Sequence, residues 1–248
     1  MSSIATRPQT PGPLAMEAIE TDDDLVNALR SGIVDERFVT DGRVLPERTL
    51  ASKLMVSRFR LRRALDVLED DGAIFRRRGQ GTFAAPPPAV ESGNFRILAR
   101  RVTPQDVMEA RLEVEPALAA LAAQRASRDE IKMLDRLTRA TFEASDTAGY
   151  DIADDVFHYK IAELAHNPLF LTIYQSISTV RKHADWTSRR HETYSKKMIE
   201  QLVRQHEDLF RSIAARDPRA AAETMEKHLI TVSNAMLRGP TYGQAAGG

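Results

Sequence analysis

Cysteine is absent from all 248 residues, which excludes a disulfide framework and any thiolate metal site. No apolar run approaches the ~20 residues that a transmembrane helix needs, and the N-terminus shows no signal peptide. These absences imply a soluble cytoplasmic protein without a membrane partner. Net charge is missing as well: 35 basic and 35 acidic residues cancel, so any basic surface must be local. Beyond Thr103 glycine becomes rare and no strand pattern appears. Residues 96–238 are therefore expected to be an all-α antiparallel helical bundle. The length accommodates two modest domains, each able to bury a core.

What is present is organised around Glu47 to Phe83. Ser57 is a good N-cap, and Leu61, Ala64, Leu65 and Leu68 follow at helical spacing as one buried stripe. On a helical projection Phe59, Arg62 and Arg63 point away from that stripe, with Arg58 on its flank. Gly72 ends the helix as a C′ residue. A basic hairpin follows, with Arg76, Arg77 and Arg78 before a Gly79-Gln80-Gly81 turn. Between Arg48 and Arg63 there are six basic residues and no acidic one. Such a run is usually a solvated face. An outward Phe59 among arginines fits a thymine methyl, however, and arginine forks fit guanine edges and phosphates. The spacing predicts a winged helix-turn-helix with a small β wing. Its candidate DNA-binding residues are Arg48, Ser57, Arg58, Phe59, Arg60, Arg62, Gln80 and Gly81.

Val44-Leu45-Pro46-Glu47-Arg48-Thr49-Leu50-Ala51, Val56-Ser57-Arg58, Arg62, Ala64-Leu65 and Gly79-Gln80-Gly81-Thr82-Phe83 resemble the DNA-binding domain of the GntR family. Where relatives carry Thr-Pro-Val-Arg-Glu, this chain has Phe59-Arg60-Leu61-Arg62-Arg63. The resemblance implies that this segment carries the base-facing positions, so the operator sequence does not transfer from relatives.

The proline-bearing residues 1–20 read as a flexible arm and 21–85 as the DNA-binding domain. Residues 86–95 read as a stiff linker and 239–248 as a tail. Within the bundle, Thr103-Pro104, Ser127 to Glu130 and Asp217-Pro218 are helix starts. A third bundle helix is expected over Tyr150 to Ala165, a fourth from Pro168 towards Trp186, and a fifth from Tyr194 to Ala215. Asp154 and His158 stand four apart, stacked on one helix face. His206 and His228 each lie eleven residues from Asp217, the turn of a helical hairpin, which sets both imidazoles at one level. Three imidazoles and a carboxylate suit zinc, nickel or manganese, zinc first. The alternative is four separate hydrogen-bonded side chains. Arg111, along the apolar stripe of its helix, is either paired internally with Glu115 or a clamp for an acidic effector.

Asp154-Asp155-Val156-Phe157-His158, Asn167-Pro168-Leu169, Gln205 to Leu209 and Ala215 to Leu229 resemble the FCD domain of the FadR subfamily, an effector-binding bundle fused to a GntR winged helix. The resemblance implies that Asp154, His158, His206 and His228 hold a divalent metal, and it gives no role to His166, His183 or His191. Arg111 and Asn167 are the candidate effector-binding residues. The function implied is a metabolite-responsive regulator, by default a repressor. It would bind a palindromic operator in double-stranded DNA as a homodimer and sense a small carboxylate effector. Two rivals stand beside it: a metal-dependent enzyme acting on a small carboxylate, and an architectural DNA-binding protein whose bundle only dimerises.

Overall fold

Each helix begins where a short polar side chain can take up an orphan backbone N–H. Thr21 and Asp24 form a capping box at the start of α1 (Asp22–Val34). Leu25, Leu29 and Ile33 of that helix meet Leu50, Leu54, Leu61, Leu65 and Leu68 in the core of the N-terminal module. Its other helices are α2 (Glu47–Lys53) and α3 (Arg58–Asp70), the latter capped by the Ser57 hydroxyl, which accepts from the Arg60 N–H. Met55, in the tight step between them, has a φ of 54° and is 87 % exposed. The computed structural model describes residues 19–77, 79–88, 98–144, 146–183 and 193–237. Most of the expected arm, most of the linker, the tail, Arg78, Trp186 and His191 lie outside the described residues.

The wing is larger than the expected hairpin. Strands β1 (Val39–Thr40), β2 (Arg43–Val44), β3 (Phe75–Arg77) and β4 (Gly81–Phe83) form one antiparallel sheet in the order β1-β2-β4-β3. β1 and β2 are joined by Asp41 and Gly42, both at positive φ (51° and 73°). That is the turn an Asp-Gly pair makes between two antiparallel strands.

Six helices make the C-terminal bundle among the described residues: α4 (Pro104–Arg125), α5 (Arg128–Glu143), α6 (Thr147–Leu164), α7 (Pro168–His183), α8 (Lys196–Ala214) and α9 (Pro218–Leu237). Thr103 with Asp106 and Ser127 with Glu130 close capping boxes on α4 and α5. Helix α6 starts three residues before the expected Tyr150, because the Asp146 carboxylate accepts from the Gly149 N–H as N-cap. Helix α4 packs against α6, α7, α8 and α9, so it is the axis of the bundle.

The two modules share packing. Phe75 and Phe83 of the wing belong to the buried cluster of the bundle, not to that of the N-terminal module. Phe75 meets Tyr159 of α6 edge to face at 5.1 Å, and the Arg77 guanidinium lies 5.4 Å from the centre of the same ring. Arg77 also pairs with Glu163 at 3.0 Å. Gly72, at φ +69°, is pressed so closely against α5 and α6 that a Cβ there would stand 2.6 Å from Leu137 Cδ2 and 2.8 Å from Val156 Cγ1.

Candidate metal centre and nucleic-acid face

Helix α6 has two working faces. Val156, Tyr159 and Glu163 look towards the N-terminal module. Asp154 and His158 sit on the opposite side at helical spacing and are buried. Helix α8 brings His206 from an apolar stripe of Leu202, Leu209 and Ile213, and α9 brings His228 beside Leu229 and Val232. The expected level match about Asp217 places the His206 and His228 rings 4.6 Å apart. One ligand atom from each of Asp154, His158, His206 and His228 lies within 4.8 Å of all the others.

The spacings have the scale of a coordination shell. Nε2 of His158 is 3.2 Å from Nε2 of His228, and Nε2 of His206 is 3.3 Å from Asp154 Oδ1. Ligand atoms ~2.0–2.2 Å from a shared ion stand roughly 3 Å apart. His158 Nε2 to Asp154 Oδ1 is wider, at 3.7 Å. Burial pushes the His228 imidazole well below its ordinary pKa, and His206 and His158 push it the same way. The uncharged ring this favours has the lone pair a metal needs. The residues present therefore fit a divalent ion, and the chemistry it would supply is Lewis acidity towards an oxygen ligand.

A second buried layer backs this quartet. Arg111 is 3 % exposed. Its Nε donates to Glu115 Oε1 at 2.5 Å and its Nη2 to Oε2 at 3.3 Å. Burial would push the Glu115 carboxyl up, but Arg111 and His158 outweigh it and hold it at about 2. Arg111 is thus in the internal pair that the sequence left open. Asn167 is at the start of α7, where its Oδ1 accepts from the N–H groups of Leu169 and Phe170. It is a helix cap. His166, with Nε2 3.2 Å from Glu130 Oε2, is on the surface.

On the other module, Arg48, Ser57, Arg58, Phe59, Arg62, Gln80 and Gly81 are all exposed, Phe59 to 74 %. The Arg62 Nε donates to Glu47 at 2.8 Å across the step between α2 and α3. Three of the arginines read from the sequence as part of a basic surface turn inward instead. Arg60 donates to Asp22 at 2.7 Å and to the Glu20 carbonyl at 3.0 Å, which ties α3 to the start of α1. Arg76 pairs with Asp66 and with Glu69, and Arg77 with Glu163. Sequence reasoning missed Arg43. Its Nη1 donates to the Gln80 carbonyl at 2.9 Å and its guanidinium lies 5.2 Å over Phe83, so it braces the wing tip.

The pattern of the bacterial regulatory proteins of the gntR family matches residues 21–84, and that of the FCD domain matches residues 106–231. The chain belongs to the GntR family. It is a transcriptional regulator with a GntR winged helix and an FCD bundle, the architecture of the FadR subfamily, and not an enzyme. This GntR regulator is 31% identical over 227 residues to a protein of Escherichia coli K12 provisionally named as the L-lactate dehydrogenase operon regulatory protein, covering 87% of this chain and 86% of the relative. It is 26% identical to the Uxu operon transcriptional regulator of the same organism, over 84% of each chain. Among solved structures, E. coli McbR/YncC overlays at a TM-score of 0.49 with 15% identity, covering 88% of this chain and 97% of that one. No helix among the described residues of the regulator is long and apolar enough to cross a membrane.

Proposed function

We propose that this GntR regulator is a cytoplasmic homodimer that binds a palindromic operator and releases it when a small carboxylate occupies a divalent metal held by Asp154, His158, His206 and His228. The observation that carries the reading is the double use of α6, with the buried quartet on one side and the seat of the wing on the other. A ligand that favours one packing of α6 would bias the position of Phe75, Arg77 and Gly72, and through them the DNA-binding module. Arg58, Phe59 and Arg62 are the residues proposed to read base edges. Arg48, Gln80 and Gly81 are proposed to hold the backbone and the minor-groove side.

Charge favours an anionic effector. Arg111 and Glu115 neutralise each other, and Asp154 offsets half the charge of a divalent ion. One positive charge then remains among buried side chains, which a monocarboxylate would neutralise. Two of the five Arg111 N–H donors already meet Glu115, so in this reading Arg111 serves to balance that carboxylate's charge. The relative named for an L-lactate dehydrogenase operon makes a 2-hydroxy acid the first compound to try.

The test measures operator affinity with and without Zn2+, and with L-lactate, a dicarboxylate and a sugar acid, for wild type and His206→Ala. The expected result is a weakening by at least one carboxylate that requires metal and vanishes in the variant. Operator affinity unmoved by metal and by every acid would overturn the reading.

A further inference from the structure

Glu115 stands behind a proposed metal ligand as well as beside an arginine, and the distances separate its two duties. Oε1 takes the Arg111 Nε at 2.5 Å. Oε2 is 2.7 Å from Nδ1 of His158 but 3.3 Å from Arg111 Nη2. The closer contact of the second oxygen is thus to the imidazole, on a helix other than its own. All three side chains are buried. An ion pair alone gives weak grounds for burying both charges, because apolar groups of similar shape often replace such a pair without loss.

We propose that Glu115 is a positioning residue for the metal centre. Its carboxylate holds His158 as the Nδ1–H tautomer with Nε2 aimed at the quartet, and Arg111 acts through Glu115 by fixing that carboxylate. The proposal rests on reading the quartet as a metal site. An imidazole whose outer N–H donates to a carboxylate has a settled tautomer and ring orientation and a more basic inner nitrogen. Loss of such a partner typically costs 10–100-fold in metal affinity. The i,i+4 spacing of Arg111 and Glu115 on α4 means that the axis helix of the bundle, which carries no ligand, still sets the direction of one.

Removing Glu115 alone would strand the Arg111 charge, so the test compares two double variants that remove both charges. Arg111→Met with Glu115→Gln keeps an oxygen able to accept from Nδ1–H, whereas Arg111→Met with Glu115→Leu does not. Zn2+ affinity of the full-length protein is measured by competition with a chromophoric chelator, beside the melting temperature of the metal-free forms. The Leu variant should bind Zn2+ about 10–100-fold more weakly than the Gln variant, with no matching loss in metal-free melting temperature. Equal affinities for the two variants and wild type would reduce Glu115 to a counter-ion for Arg111. Failure of wild type itself to take up Zn2+ would remove the metal reading instead. A readout independent of variant folding is the long-range proton–nitrogen spectrum of the wild-type histidines. His158 should be the Nδ1–H tautomer both with and without Zn2+, and an Nε2–H tautomer in either form would overturn the proposal.

Discussion

Nε2 of His158 faces Nε2 of His228 at 3.2 Å, although the residues lie seventy apart in the chain. The Glu115 carboxylate on the far side of His158 makes its Nδ1 the donor, so in the neutral ring Nε2 brings a lone pair to this meeting. A cation among the quartet would be met by that lone pair, by the other two imidazoles and by the Asp154 carboxylate. Chelation should therefore lower the melting temperature on the order of 5–10 °C when the ion had been present at roughly 100 times its Kd. His206→Ala and His228→Ala should each abolish that difference. A chelator-insensitive wild type would speak against a bound ion.

Arg62 is held by Glu47 before any DNA arrives. Glu47→Gln removes the competing charge and frees a proposed base-reading arginine, so it should tighten binding to the operator more than to random DNA. Arg58→Ala should instead cost ~1–3 kcal/mol on the operator and little on random sequence. Fluorescence anisotropy on both DNAs across a salt series separates the two effects. Equal losses on both DNAs for Arg58→Ala would make it a phosphate contact.

The Arg77–Glu163 pair is half-shielded and has an aromatic floor in Tyr159. A double-mutant cycle between Arg77→Ala and Glu163→Ala should give a coupling of about 0.5–1 kcal/mol in thermal or urea unfolding. If this contact relays the state of α6, Glu163→Ala should keep wild-type metal content while narrowing the change in operator affinity caused by a carboxylate. An unchanged response would confine the pair to stability.

Gly42 and Gly72 both have positive φ, but a Cβ on Gly42 would meet nothing within 4 Å. Alanine at position 42 should cost about 1 kcal/mol, the backbone strain alone. Alanine at position 72 should add roughly 1–3 kcal/mol for overpacking against Leu137 and Val156. Equal losses in urea denaturation would mean that the seat between the modules yields freely.

Much of this organisation is local, and local signals are readable. Thr21, Ser57, Thr103 and Ser127 mark helix starts because a cap bonds within three residues. The convergence of His206 and His228 follows from equal arm lengths about one turn. What escaped notice is of two kinds. Strands β1 and β2 have two residues each, too few for alternation to register, although Asp41-Gly42 was a usable turn signal. The inward turn of Arg60, and the reach of Glu115 to His158, depend on partners 38 and 43 residues away. No periodicity reports on those, and a charge run alone does not say which of its members the fold will use internally.

The placement of Phe75 and Phe83 in the bundle's cluster bears on how such regulators can be recombined. A chimera cut at the proline-rich connection after Ala85 would look clean in sequence, yet it would set two aromatic rings against a foreign helix. A transplant that respects the packing must carry Leu137, Val156, Tyr159 and Glu163 along with the wing. The heritable unit of specificity is then the winged helix together with one stripe of the sensor, and exchange of DNA-reading heads between relatives should succeed only where that stripe is shared.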